Sequence, residues 1–385
     1  MEGQRYICPG YLRERLLQFR VPGSEFLVVL TLNTEHSEQV SHKQVEKRER
    51  LNMQLQIQAI PSRAKFIDPE WFIWGGSMVR TDDGVCHLLY SRWPRRNRMS
   101  GWVTHCEVAH AVADDPLGPF RHVDPALPLR GGEYWDGLCT HNPTVHRFGD
   151  KYYLYYTGNT GDGRAIPDGL NWTHRNKQRI GVAVADHPDG PWKRRDAPII
   201  DVGEGGAPDS LCVANPSITE MHDGRYLLIY KAVGQLHKLP FGGPVVHMAA
   251  ISESPTGPFH KQPGLIFTKA GEEFPAEDPY IWRQGDSYRA IVKDFRGTFT
   301  GAGRSLALFG STDGLSWAPA EDPLVIGLDV EWSDGGKQAL HRLERPQLWL
   351  VGGRPAVLYC AASEDASESH SCNLHIPLRQ KDGQE

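Results

Sequence analysis

One frame recurs five times along this chain, and that repetition limits the folds open to it more than any single motif. Each copy begins with a polar or special residue, usually just before a proline, and a short apolar run. The five starts are Trp74-Gly75-Gly76-Ser77, His141-Asn142-Pro143-Thr144, Ala214-Asn215-Pro216-Ser217, Glu277-Asp278-Pro279-Tyr280 and Glu344-Arg345-Pro346-Gln347. A turn follows, in forms such as Asp82-Asp83-Gly84, Gly149-Asp150 and Asp223-Gly224. Asp-Gly between apolar runs is a strong hairpin signal, because these residues accept positive φ at little cost. The second runs start at Cys86, Tyr152, Tyr226, Tyr288 and Ala356, so the period is 62 to 74 residues.

A third run and its exit turn repeat as well. They read Ala111-Val-Ala-Asp-Asp-Pro-Leu-Gly-Pro-Phe120, Val184-Ala-Asp-His-Pro-Asp-Gly-Pro-Trp192 and Ile251-Ser-Glu-Ser-Pro-Thr-Gly-Pro-Phe259, with a degenerate copy at Phe309 to Trp317. Gly-Pro ends one strand and the aromatic residue opens the next. Each unit is thus a small antiparallel sheet of about four strands. Five such units predict an all-β, five-bladed β-propeller over residues 61–385. The fifth blade must be closed by Ser371 to Leu378 or by the segment before Trp71. Residues 1–60 lack the repeat and read as an N-terminal extension, with polar Glu35 to Arg50 as a surface helix or linker.

Bulk properties exclude several functions. A formal net charge of −5 over 385 residues leaves no basic footprint for nucleic acid. No apolar run reaches the roughly 18 residues of a membrane span. Phe26 to Leu32 is too short and too late for a signal peptide, so a cytoplasmic location is expected. Seven cysteines without a Cys-x-x-Cys pair predict buried free thiols rather than a disulfide framework. No cofactor and no metal-ligand set is called for, and nothing in the residues indicates an oligomeric state.

In a propeller the innermost strands run in one direction, so their first residues collect at one mouth. Among the five converging dipeptides only Glu277-Asp278 is an acidic pair, which makes it the leading catalytic candidate. A regular strand turns neighbours to opposite faces, so one of the two is expected at the axis; a break at Pro279 would bring both. Like charges this close raise one pKa and favour a proton donor. Asp136-Gly-Leu-Cys-Thr-His-Asn-Pro143 mirrors Asp209-Ser-Leu-Cys-Val-Ala-Asn-Pro216. That match adds Asp136 as a catalytic candidate on a loop feeding the mouth. Trp74, Trp135, His141, Asn142, Asn215, Lys293, Asp294, Glu344 and Arg345 are candidates for substrate binding. Aromatic rings beside acids and amides suit a sugar, whose apolar faces stack while its hydroxyls bond.

The polar-Pro inner strands and the Ala-x-x-x-x-Pro-x-Gly-Pro-aromatic exits resemble the propellers of glycoside hydrolase families 43 and 117 over residues 66 to 365. Family 43 implies a base Asp on the first blade, a modulating Asp and a Glu acid. The first-blade position here reads Trp74-Gly75-Gly76-Ser77, without an Asp, and the modulator position reads Asn215. Family 117 implies a His acid. The stretch from Phe241-Gly242-Gly243 through His247 is similar to the one carrying it, which makes His247 a candidate by resemblance. The resemblance implies an inverting glycosidase acting on a terminal sugar. Two alternatives stay open: a carbohydrate-binding propeller without turnover, and a uronate-directed lyase using cations such as Arg345 and Lys293.

Overall fold

The computed structural model describes residues 55–379 apart from 165, 167 and 168, together with the strands Arg15–Val21 and Ser24–Leu30. Those two strands pair as an antiparallel hairpin within a separate compact unit, Met1–Asn52. Glu35 to Arg50 and Cys8 lie outside the described residues.

The rest is a five-bladed β-propeller. Blade I is Trp71–Arg80, Cys86–Pro94, Glu107–Ala113 and Arg121–Leu127. Blade II is Cys139–Phe148, Lys151–Asn159, Arg179–Ala185 and Lys193–Arg194. Blade III is Cys212–Glu220, Tyr226–Val233, Val245–Ser252 and His260–Lys261. Blade IV is Ala276–Gln284, Ser287–Asp294, Ser305–Ser311 and Ala318–Ile326. Blade V takes Arg342–Val351, Arg354–Ser363 and Cys372–Arg379 from the C-terminal end. Its outer edge comes from the other end of the unit: Gln56–Ile57 and Lys65–Ile67 both pair antiparallel with Cys372–Arg379. Both expected closing segments are therefore used, and the ring draws on residues upstream of 61. Among the described residues the one α-helix is Trp172–Asn176, capped by Asn171, whose side chain accepts from the Thr173 and His174 amides.

Each blade buries both faces against its neighbours, so its middle strands read as continuous apolar runs rather than alternating ones. The core is accordingly a set of layers between blades. Leu89 and Val108 of blade I meet Val145 and Leu154 of blade II. Val182 of blade II meets Leu228 and Met248 of blade III. Leu227 and Ile229 meet Ile281 and Phe309 of blade IV, and Ile291 and Leu308 meet Leu348, Leu358 and Ile376 of blade V, together with Ile60. Phe66 and Leu88 against Val357 and Tyr359 close the circle between blades V and I.

All six cysteines within the described propeller are free and buried, as the absence of framework spacing predicts. Alkylation under native conditions should leave these six unmodified, and denaturation should expose them; a native disulfide among them by mass spectrometry contradicts this. Leu358 is fully buried in the layer between blades IV and V. Leu358→Ala should cost about 2–5 kcal/mol in urea unfolding.

Candidate functional site

The five inner strands share a break near their start. In blades II to V two residues, X-Pro, oppose one residue of the second strand; in blade I a single glycine is the extra residue. Proline suits the place because it brings no ladder donor. The X residue is left-handed in every blade: Gly75 (φ 23), Asn142 (φ 53), Asn215 (φ 54), Asp278 (φ 52) and Arg345 (φ 56). Asn, Asp and Gly bear this at small cost, whereas a long side chain such as Arg345 pays of order 1–3 kcal/mol.

Four of these residues form a chain at the axis. Asn142 Nδ2 donates to Asn215 Oδ1 at 2.6 Å, and Asn215 Nδ2 donates to Asp278 Oδ1 at 2.7 Å. Arg345 Nη1 donates to the same Asp278 oxygen at 3.2 Å. Arg345 also lies along Gly75, where an added Cβ would stand 3.2 Å from Arg345 Cβ and 3.4 Å from its Nε. The blade I position is thus filled by the blade V side chain. The backbone N–H of Asn142 donates to Ser91 Oγ, and that of Asn215 to Thr157 Oγ1, so these two left-handed residues are pinned to the preceding blade.

Above this chain lies a cavity of about 360 Å³. The sequence-predicted residues that line it are Trp74, His141, Asn142, Asn215, Glu277, Asp278, Lys293, Glu344 and Arg345. Both members of the acidic pair reach it, because the left-handed turn at Asp278 breaks the alternation of a regular strand. Glu277 bonds Lys231 at 2.8 Å and Lys293 at 3.2 Å. Lys293 also bonds Glu344 at 2.8 Å, and Arg342 connects Glu344 to Glu368.

These contacts drive the two neighbouring carboxyls apart. Burial alone would push Glu277 up, but Lys231 and Lys293 outweigh it and hold the group well below the usual carboxylate range. Asp278 is pushed up, first by burial and then by the Glu277 charge, against the opposing effects of Arg345 and Lys293. Burial, with the charges of Lys231 and Arg345, holds His141 down to about 3, so its ring is neutral. That ring packs edge-on against Trp102 at 5.2 Å, and both its nitrogens are buried without a protein partner.

Four predicted residues are not brought to the cavity. Asp136 is fully buried inside blade II, where it binds Arg130 at 2.6 Å and accepts from Tyr156 Oη at 2.6 Å. Its sequence mirror Asp209 accepts from Tyr230 Oη and pairs with Lys261. The two copies therefore tie a loop to equivalent tyrosines and to a cation near the fourth strand (Arg194 or Lys261), which explains the internal match. Trp135 stacks on Tyr156 at 5.9 Å. Asp294 accepts the backbone N–H groups of Thr298, Phe299 and Thr300. His247 is 1% exposed in the third strand of blade III, against Phe267, and burial holds it down to about 3. Sequence reasoning missed Lys231, although it ends the second strand of blade III at the same place as Lys293 in blade IV. It also missed Trp102 and Glu368, which lie in connections between strands, and Arg342, the first residue of the blade V inner strand.

The structure is similar to several solved propellers. A family 117 glycoside hydrolase, Zg3597 of the marine bacterium Zobellia galactanivorans, superposes with a TM-score of 0.57 at 17% identity over 85% of this chain and 91% of its own. BT0996, solved as a complex with RGII, gives 0.63 at 14% over 92% and 97%. A thermostable family 43 glycoside hydrolase gives 0.53 at 13% over 83% and 94%. The chain has the fold of these glycoside hydrolases. No protein-family model matches the sequence, and no curated protein matches it. On this glycoside hydrolase fold the blade I axis position holds Gly75 and the overlying Arg345, so the carboxylates of the mouth come from blades IV and V.

Two outcomes follow. Asn215→Ala orphans buried donors and acceptors on both sides, at about 1–3 kcal/mol per group, and urea unfolding should show that loss. The depressed Glu277 carboxyl contributes stability that is complete above its ordinary value of 4.5 and is lost as pH falls through its lower folded value. Melting temperatures between pH 7 and pH 3 should therefore fall more steeply for the wild type than for Glu277→Gln.

Proposed function

We propose that the chain is a glycoside hydrolase that removes a terminal sugar from an oligo- or polysaccharide, with its active site at this mouth. The observation that carries the reading is the splitting of two adjacent carboxyls into one ionised group and one whose proton is favoured. Environments that drive paired acids apart assign them to different tasks. Asp278 is the proton donor to the glycosidic oxygen. Its Oδ1 is held by Asn215 and Arg345, which fixes the carboxyl while it gives up its proton from the other oxygen. Glu277, kept ionised by two lysines, faces the positive charge that develops on the sugar ring. Trp74, Trp93 and Trp102 line the same cavity and suit the apolar faces of a pyranose or furanose. His141, neutral and unpartnered, is placed to take a sugar hydroxyl. The fold shared with glycoside hydrolases agrees with this chemistry.

A second reading has its own support. Every acid of the mouth is bonded to a Lys or Arg, and blade I supplies none, so no carboxylate stands unpaired to activate water. A sugar-binding propeller without turnover is consistent with that. A uronate-directed lyase is less well served, because Lys293 and Arg345 are already engaged by Glu277, Glu344 and Asp278.

A screen of aryl glycosides and of plant and algal oligosaccharides should yield a single released sugar. Asp278→Asn should then lower turnover by about 10²–10⁴-fold with the fold intact. Activity should also decline as pH rises past the elevated Asp278 pKa, since the donor must hold its proton. Sugar binding by calorimetry without hydrolysis of any substrate would favour the second reading; full activity in both Asp278→Asn and Glu277→Gln would remove the first.

A further inference from the structure

At the far end of the strands from the mouth, between blades I and II, two histidines and a carboxylate converge. His87 lies near the start of the second strand of blade I, four residues from the cavity-lining Ser91, or about 13 Å along a strand. His110 lies on the third strand of the same blade. Asp189 comes from the exit turn of blade II. Both histidines are buried, at 2% and 1% exposure, while the Asp189 side chain opens to solvent at 59%. His87 Nδ1 stands 3.0 Å from His110 Nε2 and 3.2 Å from Asp189 Oδ1, and His110 Nε2 stands 3.7 Å from the same oxygen.

Hydrogen bonding dictates what these atoms present. The Thr81 hydroxyl must donate to Asp83 Oδ1, a carboxylate 2.5 Å away. Towards His87 Nε2, at 3.4 Å, Thr81 Oγ1 can then only accept, so Nε2 carries the ring proton. The neutral ring therefore turns a bare Nδ1 towards an anionic oxygen. His110 can relieve this only by donating from Nε2 to His87 Nδ1 at 3.0 Å, which moves the bare nitrogen to its own ring. With its proton on Nδ1, facing Asp124 Oδ1 at 3.6 Å, two bare nitrogens meet Asp189. With its proton on Nε2, the buried Nδ1 is left bare against the Asp124 carboxylate; that nitrogen has no hydrogen-bond partner. Either way a buried imidazole nitrogen faces a carboxylate oxygen with no proton between them, and a cation held by the two rings and Asp189 removes the conflict.

The spacing fits one class of cation. A triangle with sides of 3.0, 3.2 and 3.7 Å has a circumradius of about 1.9 Å. A point about 0.7 Å off its plane is then about 2.05 Å from all three atoms, the bond length and the offset of a tetrahedral Zn²⁺ with nitrogen and oxygen ligands. The outer nitrogen of His87 faces Thr81 Oγ1 at 3.4 Å, the pattern in which a metal-bound histidine gives its second N–H to an oxygen, and that of His110 points to the Asp124 carboxylate 3.6 Å away. His187 stands beside the cluster, edge-on to His87 at 5.2 Å and with Nδ1 3.2 Å from Asp189 Oδ2. It is 45% exposed and borders the solvent side of the cluster.

We propose that His87 Nδ1, His110 Nε2 and Asp189 Oδ1 form a Zn²⁺-class metal site that staples blade I to blade II. The site is independent of the mouth and of the hydrolase reading. Its ligands come from two strands and a turn of a neighbouring unit, which is why no spacing motif announces it.

The full chain, treated with chelator and dialysed, is titrated with ZnCl₂ by calorimetry, and its metal content is measured after gel filtration. One Zn²⁺ per chain and a raised melting temperature are expected. Co²⁺ should give the visible absorption of a tetrahedral site, and Mg²⁺ or Ca²⁺ should not compete with this nitrogen-rich set. Asp189→Asn, a change in an exposed turn, and His110→Ala should each weaken binding at least tenfold. Asp124→Asn should weaken it about 10–100-fold through the outer contact. If the chelated wild type takes up no Zn²⁺, the proposal fails. It fails equally if Asp189→Asn binds as the wild type does, since the ion then sits elsewhere.

Discussion

The left-handed residue at the start of each inner strand is the constraint on which the mouth depends. A regular strand turns alternate side chains to opposite faces, and in a propeller blade both faces are covered by neighbouring blades. A break in the alternation swings a side chain out of those layers and towards the axis. The X-Pro break is the same in blades II to V, so the axis receives one side chain from each of those four, while blade I contributes only Gly75. Gly75, Asn142, Asn215 and Asp278 are residue types that accept positive φ. Arg345 is the strained member, and its bond to Asp278 together with the space left by Gly75 holds it there.

Burying that many charges sets the second requirement. Each ion taken from water costs several kcal/mol unless it is paired. The mouth meets this with alternating signs, running from Lys231 through Glu277, Lys293, Glu344 and Arg342 to Glu368. Asp278 stands apart from that run. Its partners are one arginine and one amide, and the negative Glu277 is next to it in the chain. Its protonation is therefore favoured where that of Glu277 is not, and this difference follows from the neighbours rather than from the carboxyl groups themselves.

The architecture was legible because it repeats. Turn residues, Gly-Pro exits and aromatic second strands state the blade count and the direction of the inner strands, and hence which dipeptides meet. Nine of the thirteen residues predicted for the site line the cavity for that reason. The failures have a common cause. Asp136, matched to Asp209, looked like duplicated chemistry, but the duplication is of a loop anchored to Tyr156 or Tyr230. His247 follows a Gly-rich loop, a common setting for a catalytic side chain, yet it lies on the third strand, one strand further from the axis than Lys231, and its ring packs on Phe267. Trp102 could not be read, because its segment Met99–Val103 has no second copy, and Arg342 stands where the matching inner strands of blades II and III begin with cysteine, so the repeat gave no polar precedent for it. The same limit hid the His87–His110–Asp189 cluster, whose members belong to different units.

The near-fivefold repeat also bears on the blade I position, where Gly75 brings no side chain to the axis. Blades II to V each offer the axis a left-handed position with φ between 52 and 56, so a carboxylate there can be supplied by any of the four without a change of backbone. What does not carry over is the surroundings. At the blade I position a carboxylate would need a Cβ where Arg345 now packs. At the blade IV position it finds Arg345 and Asn215 as donors and Glu277 as a neighbour. An acid on blade IV and an arginine reaching over a blade I glycine are thus two halves of one arrangement. Arg345 can reach the Asp278 oxygen along that path only because blade I has given up its side chain.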